Sequence, residues 1–147
     1  MAETVGFIGL GVMGKPMAGH LLKAGYPLVV HNRSRGAVDE LTAAGAKAAA
    51  TPAEVARAAT VVITMLPDTP DVERVLTGPD GVLSAIQKGA IVIDMSSISP
   101  VVTERLAMRT GPDAHDALVM PTVMRQHPYI TLERDASGRI TRVQKAR

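Results

Sequence analysis

An apolar run, Thr4-Val5-Gly6-Phe7-Ile8, breaks at Gly9-Leu10-Gly11-Val12-Met13-Gly14 and resumes as a helical pattern. No other feature narrows the fold as far, because glycines spaced G-x-G-x-x-G between a strand and a helix make a phosphate-binding turn. Gly9 permits the tight turn, and Gly11 lets backbone amides approach a pyrophosphate that a side chain would block. Gly14 lets the new helix pack close to the strand, and the helix N-terminus supplies N–H donors and a partial positive charge. A glycine-rich turn without a ligand is the plain alternative. The strand, the helix and a second strand at the expected distance argue against it.

Up to about residue 107 the chain alternates strands with helices, which predicts a doubly wound parallel sheet covered on both faces. Helical patterns run over 12–24, 35–44, 70–76, 81–86 and from Pro100 to about Met108. Strands are expected at 27–31, within 46–50, and at 61–65 and 90–94. Gly25 and Gly45 sit where helices stop. Thr51-Pro52-Ala53-Glu54 carries a helix start: a capping threonine, a proline at the first helical position and a glutamate able to close a capping box.

Composition excludes several classes. The 147 residues include no cysteine, so a disulfide framework and a thiolate metal site are both ruled out. Four scattered histidines lack ligand spacing, which leaves no metal constellation. The start of the chain has no basic region before an apolar stretch, and no apolar run approaches a membrane span, so a soluble, cytoplasmic protein is expected. The net charge of +2 belongs to the tail: residues 1–107 carry nine Lys/Arg against ten Asp/Glu, residues 108–147 seven against four. With Phe7, Tyr26 and Tyr129 as the only aromatics, a base-stacking platform for nucleic acid is not expected.

The second strand bears on the cofactor. Dinucleotide sites place an acidic residue at its end to bond the adenosine ribose hydroxyls. Here that place holds Asn32, which can still bond a hydroxyl, followed by Arg33 and Ser34, which can meet a 2′-phosphate. The expectation is NADP rather than NAD, with NAD still possible. S-adenosylmethionine fits the Arg33-Ser34 pair less well. Leu66-Pro67 after the fourth strand and Ser96-Ser97 after the fifth lie at the edge where open α/β sheets bind ligands. Either could be purely structural; Ser99 is placed to cap the helix from Pro100, leaving Ser96 and Ser97 to face the site.

These segments resemble a known family. Val5-Gly6-Phe7-Ile8-Gly9-Leu10-Gly11-Val12-Met13-Gly14-Lys15-Pro16-Met17-Ala18 is similar to the N-terminal signature of the β-hydroxyacid dehydrogenases. Val62-Ile63-Thr64-Met65-Leu66-Pro67 and Ile93-Asp94-Met95-Ser96-Ser97-Ile98-Ser99-Pro100 resemble in particular the tartronate semialdehyde (2-hydroxy-3-oxopropionate) reductase branch. The resemblance runs from about residue 4 to 107. It implies a Rossmann-type cofactor-binding domain of an NAD(P)-dependent oxidoreductase acting on a small β-hydroxy acid or semialdehyde. It further implies that Gly9, Leu10, Gly11, Val12, Met13, Gly14, Asn32, Arg33, Ser34, Leu66, Pro67 and Ser97 touch the cofactor. Ser96 would lie beside the substrate.

The resemblance stops at the tail. In the family, the next strand carries an Asp-Ala-Pro-Val-Ser-Gly-Gly segment, and an all-helical domain with the catalytic lysine follows. Here residues 117–123 read as a sixth strand, but Met124-Arg125-Gln126 stands in place of Ser-Gly-Gly, and 129–142 reads as a β-hairpin around Asp-Ala-Ser-Gly. The domain division is therefore 1–107 for the dinucleotide and 108–147 for a tail foreign to the family. A truncated, frameshifted or fused gene each accounts for it. No residue matches the catalytic lysine: Lys15 and Lys88 fall at other places, and His115 and His127 lack an orienting partner. Two readings stand, the nucleotide-binding part of a hydroxy-acid dehydrogenase and a binding module without turnover. Self-association is expected through the face that the helical domain covers in the family.

Overall fold

The computed structural model describes residues 3–108 and the backbone of three further strands at 118–121, 130–134 and 140–145. In chain order the elements are β1 (Val5–Ile8), α1 (Gly14–Lys23), β2 (Leu28–His31), α2 (Arg35–Ala43), β3 (Lys47–Ala48), α3 (Pro52–Ala58) and β4 (Val61–Thr64). Then come α4 (Thr69–Thr77), β5 (Ile91–Asp94), α5 (Pro100–Met108), β6 (Leu118–Pro121), β7 (Ile130–Arg134) and β8 (Ile140–Lys145).

Strands β1 to β6 form one sheet in the order β3-β2-β1-β4-β5-β6, and every pairing in it is parallel. The expected Rossmann-type sheet is present. Because the order reverses between β1 and β4, the crevice beyond their C-terminal ends is where this topology admits a ligand.

All four residues of β1 are buried, and their side chains alternate between two cores. Phe7 packs with Ala18, Leu28, Val30, Val38 and Leu41 on the side of α1 and α2. Ile8 packs on the opposite side with Val55, Val62, Val72, Leu76 and Val92. A continuous apolar run is what a strand covered on both faces requires. Gly6 allows α3 its close approach: a Cβ there would lie 2.3 Å from Val55 Cγ1.

Local chemistry sets the helix starts. Thr51 Oγ1 accepts from Glu54 N at 3.2 Å, and Glu54 Oε2 accepts from Ala50 N at 2.7 Å, one residue upstream of the usual capping-box amide. Asp68 Oδ1 accepts from Asp71 N at 3.0 Å and caps α4. The helix expected over 81–86 is instead a 3₁₀ turn, Val82–Ser84, held by Ser84 N to Gly81 O and Ala85 N to Val82 O. Between Pro79 and Gly89 the segment is too short to offset the cost of nucleating an α-helix.

In the tail, Leu118–Pro121 pairs with β5, while β7 and β8 pair antiparallel as a separate two-stranded sheet with an irregularity at Glu133/Arg134. The turn expected at 135–138, the Met124-Arg125-Gln126 segment, His115 and His127 lie outside the described residues. Among the described residues no helix is long and apolar enough to cross a membrane, and no group of His, Asp or Glu could hold a metal ion.

Candidate functional site

Parallel register sets His31, Ile8, Thr64 and Asp94 in one row across the C-terminal edge of β2, β1, β4 and β5. The loops leaving this row build the site.

The first loop is the glycine turn. Gly9 has φ +95, and a Cβ there would lie 2.2 Å from Met65 O, so the turn seats directly on the end of β4. A Cβ on Gly14 would sit 1.8 Å from Gly9 O, which is why α1 can begin so close to the strand. Around Gly11 nothing lies within 4 Å. Gly9 N donates to His31 O at 3.1 Å and Leu10 N to Asn32 Oδ1 at 3.0 Å. Among the described residues no acceptor takes the N–H of Gly11, Val12 or Met13. No side chain caps α1 and its first turn holds no acidic residue, so the positive end of the helix faces outward uncompensated. Lys15 turns to Glu40 on α2 at 2.8 Å, and both side chains are substantially exposed.

The second loop follows β2. Asn32 is half-buried; its Nδ2 donates to Ser34 Oγ at 2.9 Å and to Ser34 O at 3.1 Å. Both donors and one acceptor site of this amide are thus spent inside the protein, and the expected hydrogen bond to a ribose hydroxyl has only a remaining Oδ1 lone pair to use. Arg33 and Ser34 are exposed. His31 Nδ1 lies 3.1 Å from Ala49 O, which ties β2 to the loop after β3.

At the third corner, after β4 and β5, the polar side chains turn inward. Asp94 is 2% exposed; its Oδ1 accepts from Thr64 Oγ1 at 2.7 Å, Ser96 Oγ at 2.6 Å and Ser96 N at 3.2 Å. Its Oδ2 has no partner among the described residues. Ser96 Oγ in turn accepts from Leu66 N at 2.8 Å. Ser96 is buried, and its hydroxyl links β5 to the loop after β4. Ser97 is exposed beside it. At the start of α5, Ser99 O accepts from Thr103 N, and Ser99 N donates to Thr69 Oγ1 at 3.0 Å.

The first two loops and the end of β4 line one open cleft of about 1260 Å³. Of the expected cofactor contacts, Gly9, Gly11, Val12, Met13, Gly14, Asn32, Arg33, Ser34, Leu66 and Pro67 lie on it. Leu10, Ser96 and Ser97 do not. Leu10 is 4% exposed, and its side chain packs in the core rather than on the cleft. The cleft has a further wall that the sequence reading missed, made by Ala48–Ala50, Glu54, the Asp71–Arg74 ion pair and the Gly78–Asp80 turn. The capping signal at Thr51-Glu54 marked one of these helix starts but not which way it points. The site's resources are thus amide donors at one end and a guanidinium with a hydroxyl at the other, an arrangement suited to anionic groups joined by an uncharged middle.

Residues 4–123 match the family described as the NAD binding domain of 6-phosphogluconate dehydrogenase. The chain is 45% identical over 118 residues to 2-hydroxy-3-oxopropionate reductase of Escherichia coli, covering 80% of this chain and 40% of that protein. It is 46% identical over 103 residues to mitochondrial 3-hydroxyisobutyrate dehydrogenase of Mus musculus, covering 70% and 31%. Among solved structures, that of Psf3 in complex with NADP+ and 2-OPP superposes with a TM-score of 0.73 at 36% identity, over 79% of this chain and 40% of that one. The chain thus spans between 31% and 40% of the length of these relatives.

Proposed function

The chain belongs to the family of the NAD binding domain of 6-phosphogluconate dehydrogenase, and from that premise we propose that its cleft holds NADP(H) for hydride transfer to or from a small β-hydroxy acid or its semialdehyde. One observation carries the reading: a single cleft joins the unpartnered amides of Gly11, Val12 and Met13 to Arg33 and Ser34. The amides and the uncapped end of α1 suit a diphosphate, which is an acceptor-only group. The guanidinium of Arg33 and the hydroxyl of Ser34 suit a 2′-phosphate, and no carboxylate at Asn32 repels it. Open space over Gly11 allows the close approach that such a group needs.

Bound nicotinamide supplies the hydride chemistry; the chain's own residues bind and orient. Leu66 and Pro67 would line the nicotinamide end, held in place by the Ser96 hydroxyl on Leu66 N. Exposed Ser97 lies next to that end. A small substrate such as tartronate semialdehyde or glycerate is supported by the reductase among the relatives.

A second reading, nucleotide binding without turnover, is favoured by one feature. No lysine lines the cleft among the described residues, and Lys15, the nearest in sequence to the turn, pairs with Glu40. Self-association through the face that a helical domain covers in the family is a further part of the proposal, supported by Val101, which stands 73% exposed.

Calorimetric titration with NADPH and NADH tests the reading. NADPH is expected to bind more tightly, and Arg33→Asp should cut the preference by about tenfold or more, the worth of a charge-assisted contact. If neither nucleotide binds, the reading fails; if the preference survives the substitution, Arg33 has been misassigned. Turnover of tartronate semialdehyde with NADPH would exclude the binding-only alternative.

A further inference from the structure

Ser34 occupies the N-cap of α2, where a serine hydroxyl ordinarily accepts from an amide of the first helical turn. It makes no such bond: no side chain caps α2. Its Oγ instead takes a hydrogen from Asn32 Nδ2 at 2.9 Å. The orientation of the Asn32 amide is fixed by its two other neighbours. Leu10 N–H can only donate, so the atom 3.0 Å from it is the oxygen. Ser34 C=O can only accept, so the atom 3.1 Å from it is the nitrogen.

From this arrangement we infer that Asn32 is a positioning residue that sets the hydrogen-bond polarity of Ser34 and so makes it a phosphate reader. A hydroxyl has one hydrogen and accepts through its lone pairs. With Asn32 donating to it, the Ser34 hydrogen is turned away from Asn32, and Ser34 lies on the cleft. It is thereby presented as a donor, which a fully ionised phosphate accepts. Drawing Oγ away from the helix start also leaves the first-turn amides of α2 free of a side-chain cap, on the same side as Arg33.

A carboxylate at position 32 would reverse this. It could still accept from Leu10 N, so the turn would keep its tie. It has no hydrogen to give Ser34, and would draw the Ser34 hydrogen towards itself. Discrimination by position 32 therefore works partly through its neighbour, in addition to any direct charge effect on the ligand. The inference rests on the nucleotide-binding reading above.

A double-mutant cycle on the full chain separates the two contributions, because the charge introduced by Asn32→Asp is common to both arms. Affinities for NADPH and NADH are measured by titration for the unmodified chain, Ser34→Ala, Asn32→Asp and the double variant. Ser34→Ala alone is expected to lower the NADPH:NADH preference by about tenfold or more, the worth of one hydrogen bond to a charged group. In the Asn32→Asp background the same substitution should change it by less than about twofold, because the hydroxyl no longer serves the phosphate. Ser34→Thr, which keeps the hydroxyl, should stay within about twofold of the unmodified chain. Equal effects of Ser34→Ala in the two backgrounds, or none in the first, overturn the inference while leaving nucleotide binding intact. Failure of the unmodified chain to bind either nucleotide removes the reading beneath it instead.

Discussion

The glycine turn after β1 and the Asp94–Ser96 corner after β5 stand at the same edge of one sheet, yet they direct polarity in opposite directions. At the turn, the amides of Gly11, Val12 and Met13 find no acceptor among the described residues, and Val12 is almost fully exposed. At the corner, Thr64, Asp94 and Ser96 are all buried, and Thr64 Oγ1 and Ser96 Oγ both spend their hydrogens on Asp94 Oδ1. Backbone groups are left open to the cleft, while side chains are consumed by the fold. Physical cause lies in burial: a polar side chain below the surface costs free energy unless it is paired, whereas an amide at a helix start is open to water or an anion.

That contrast is broken most severely at Gly14. Gly14→Ala would place a methyl 1.8 Å from a backbone oxygen of Gly9, where no side chain can yield. The cost should be about 3 kcal/mol or more, read as a large drop in the midpoint of urea unfolding. A midpoint within error of the unmodified chain would mean that α1 can shift away from β1 freely. Next in size is Asp94→Ala, which strips Thr64 Oγ1 and both Ser96 donors of their acceptor. About 2 to 3 kcal/mol of destabilisation is expected, because buried donors are left unmet. Ser96→Ala should cost less, about 1 to 2 kcal/mol, by leaving Leu66 N without its acceptor. This variant distinguishes the two kinds of edge: a loss of semialdehyde turnover with no loss of stability would put Ser96 beside the substrate.

How legible the molecule was follows the same division. The turn could be read because its geometry is local; three glycines and a following helix determine it without reference to the rest of the chain. Alternation of buried runs likewise gave the parallel sheet, since both of its faces must be covered. The bonds of Ser96 were not legible, because whether a hydroxyl at a strand end points in or out depends on Asp94 beneath it and Leu66 across from it, thirty residues away. Asn32 was taken for a ribose partner, although its tie to Leu10 depends on two loops meeting in space. The wall at Asp71, Arg74 and Asp80 was invisible for the same reason: nothing in the order of residues says that α4 and the turn after it border the glycine loop. Gly6 was passed over as an ordinary strand residue, while the packing of Val55 against it makes any side chain there a clash.

The smallest effect on folding is expected from Gly11→Ala, and it sharpens the comparison furthest. Gly11 belongs to the same motif as Gly14, but a Cβ there meets nothing within 4 Å, and its backbone is outside the left-handed region that alanine resists. Stability should stay within about 0.5 kcal/mol of the unmodified chain, with a slight gain possible from a less flexible unfolded state. The methyl would instead occupy the open space through which a diphosphate must reach the amides of Gly11 to Met13. NADPH affinity should therefore fall by about tenfold or more while the unfolding midpoint holds, since a contact of this kind is worth well over 1 kcal/mol. Unchanged affinity alongside an unfolding Gly14→Ala would make the three glycines a packing device, with α1 brought close to β1 for the sake of the core and no anion held at its start.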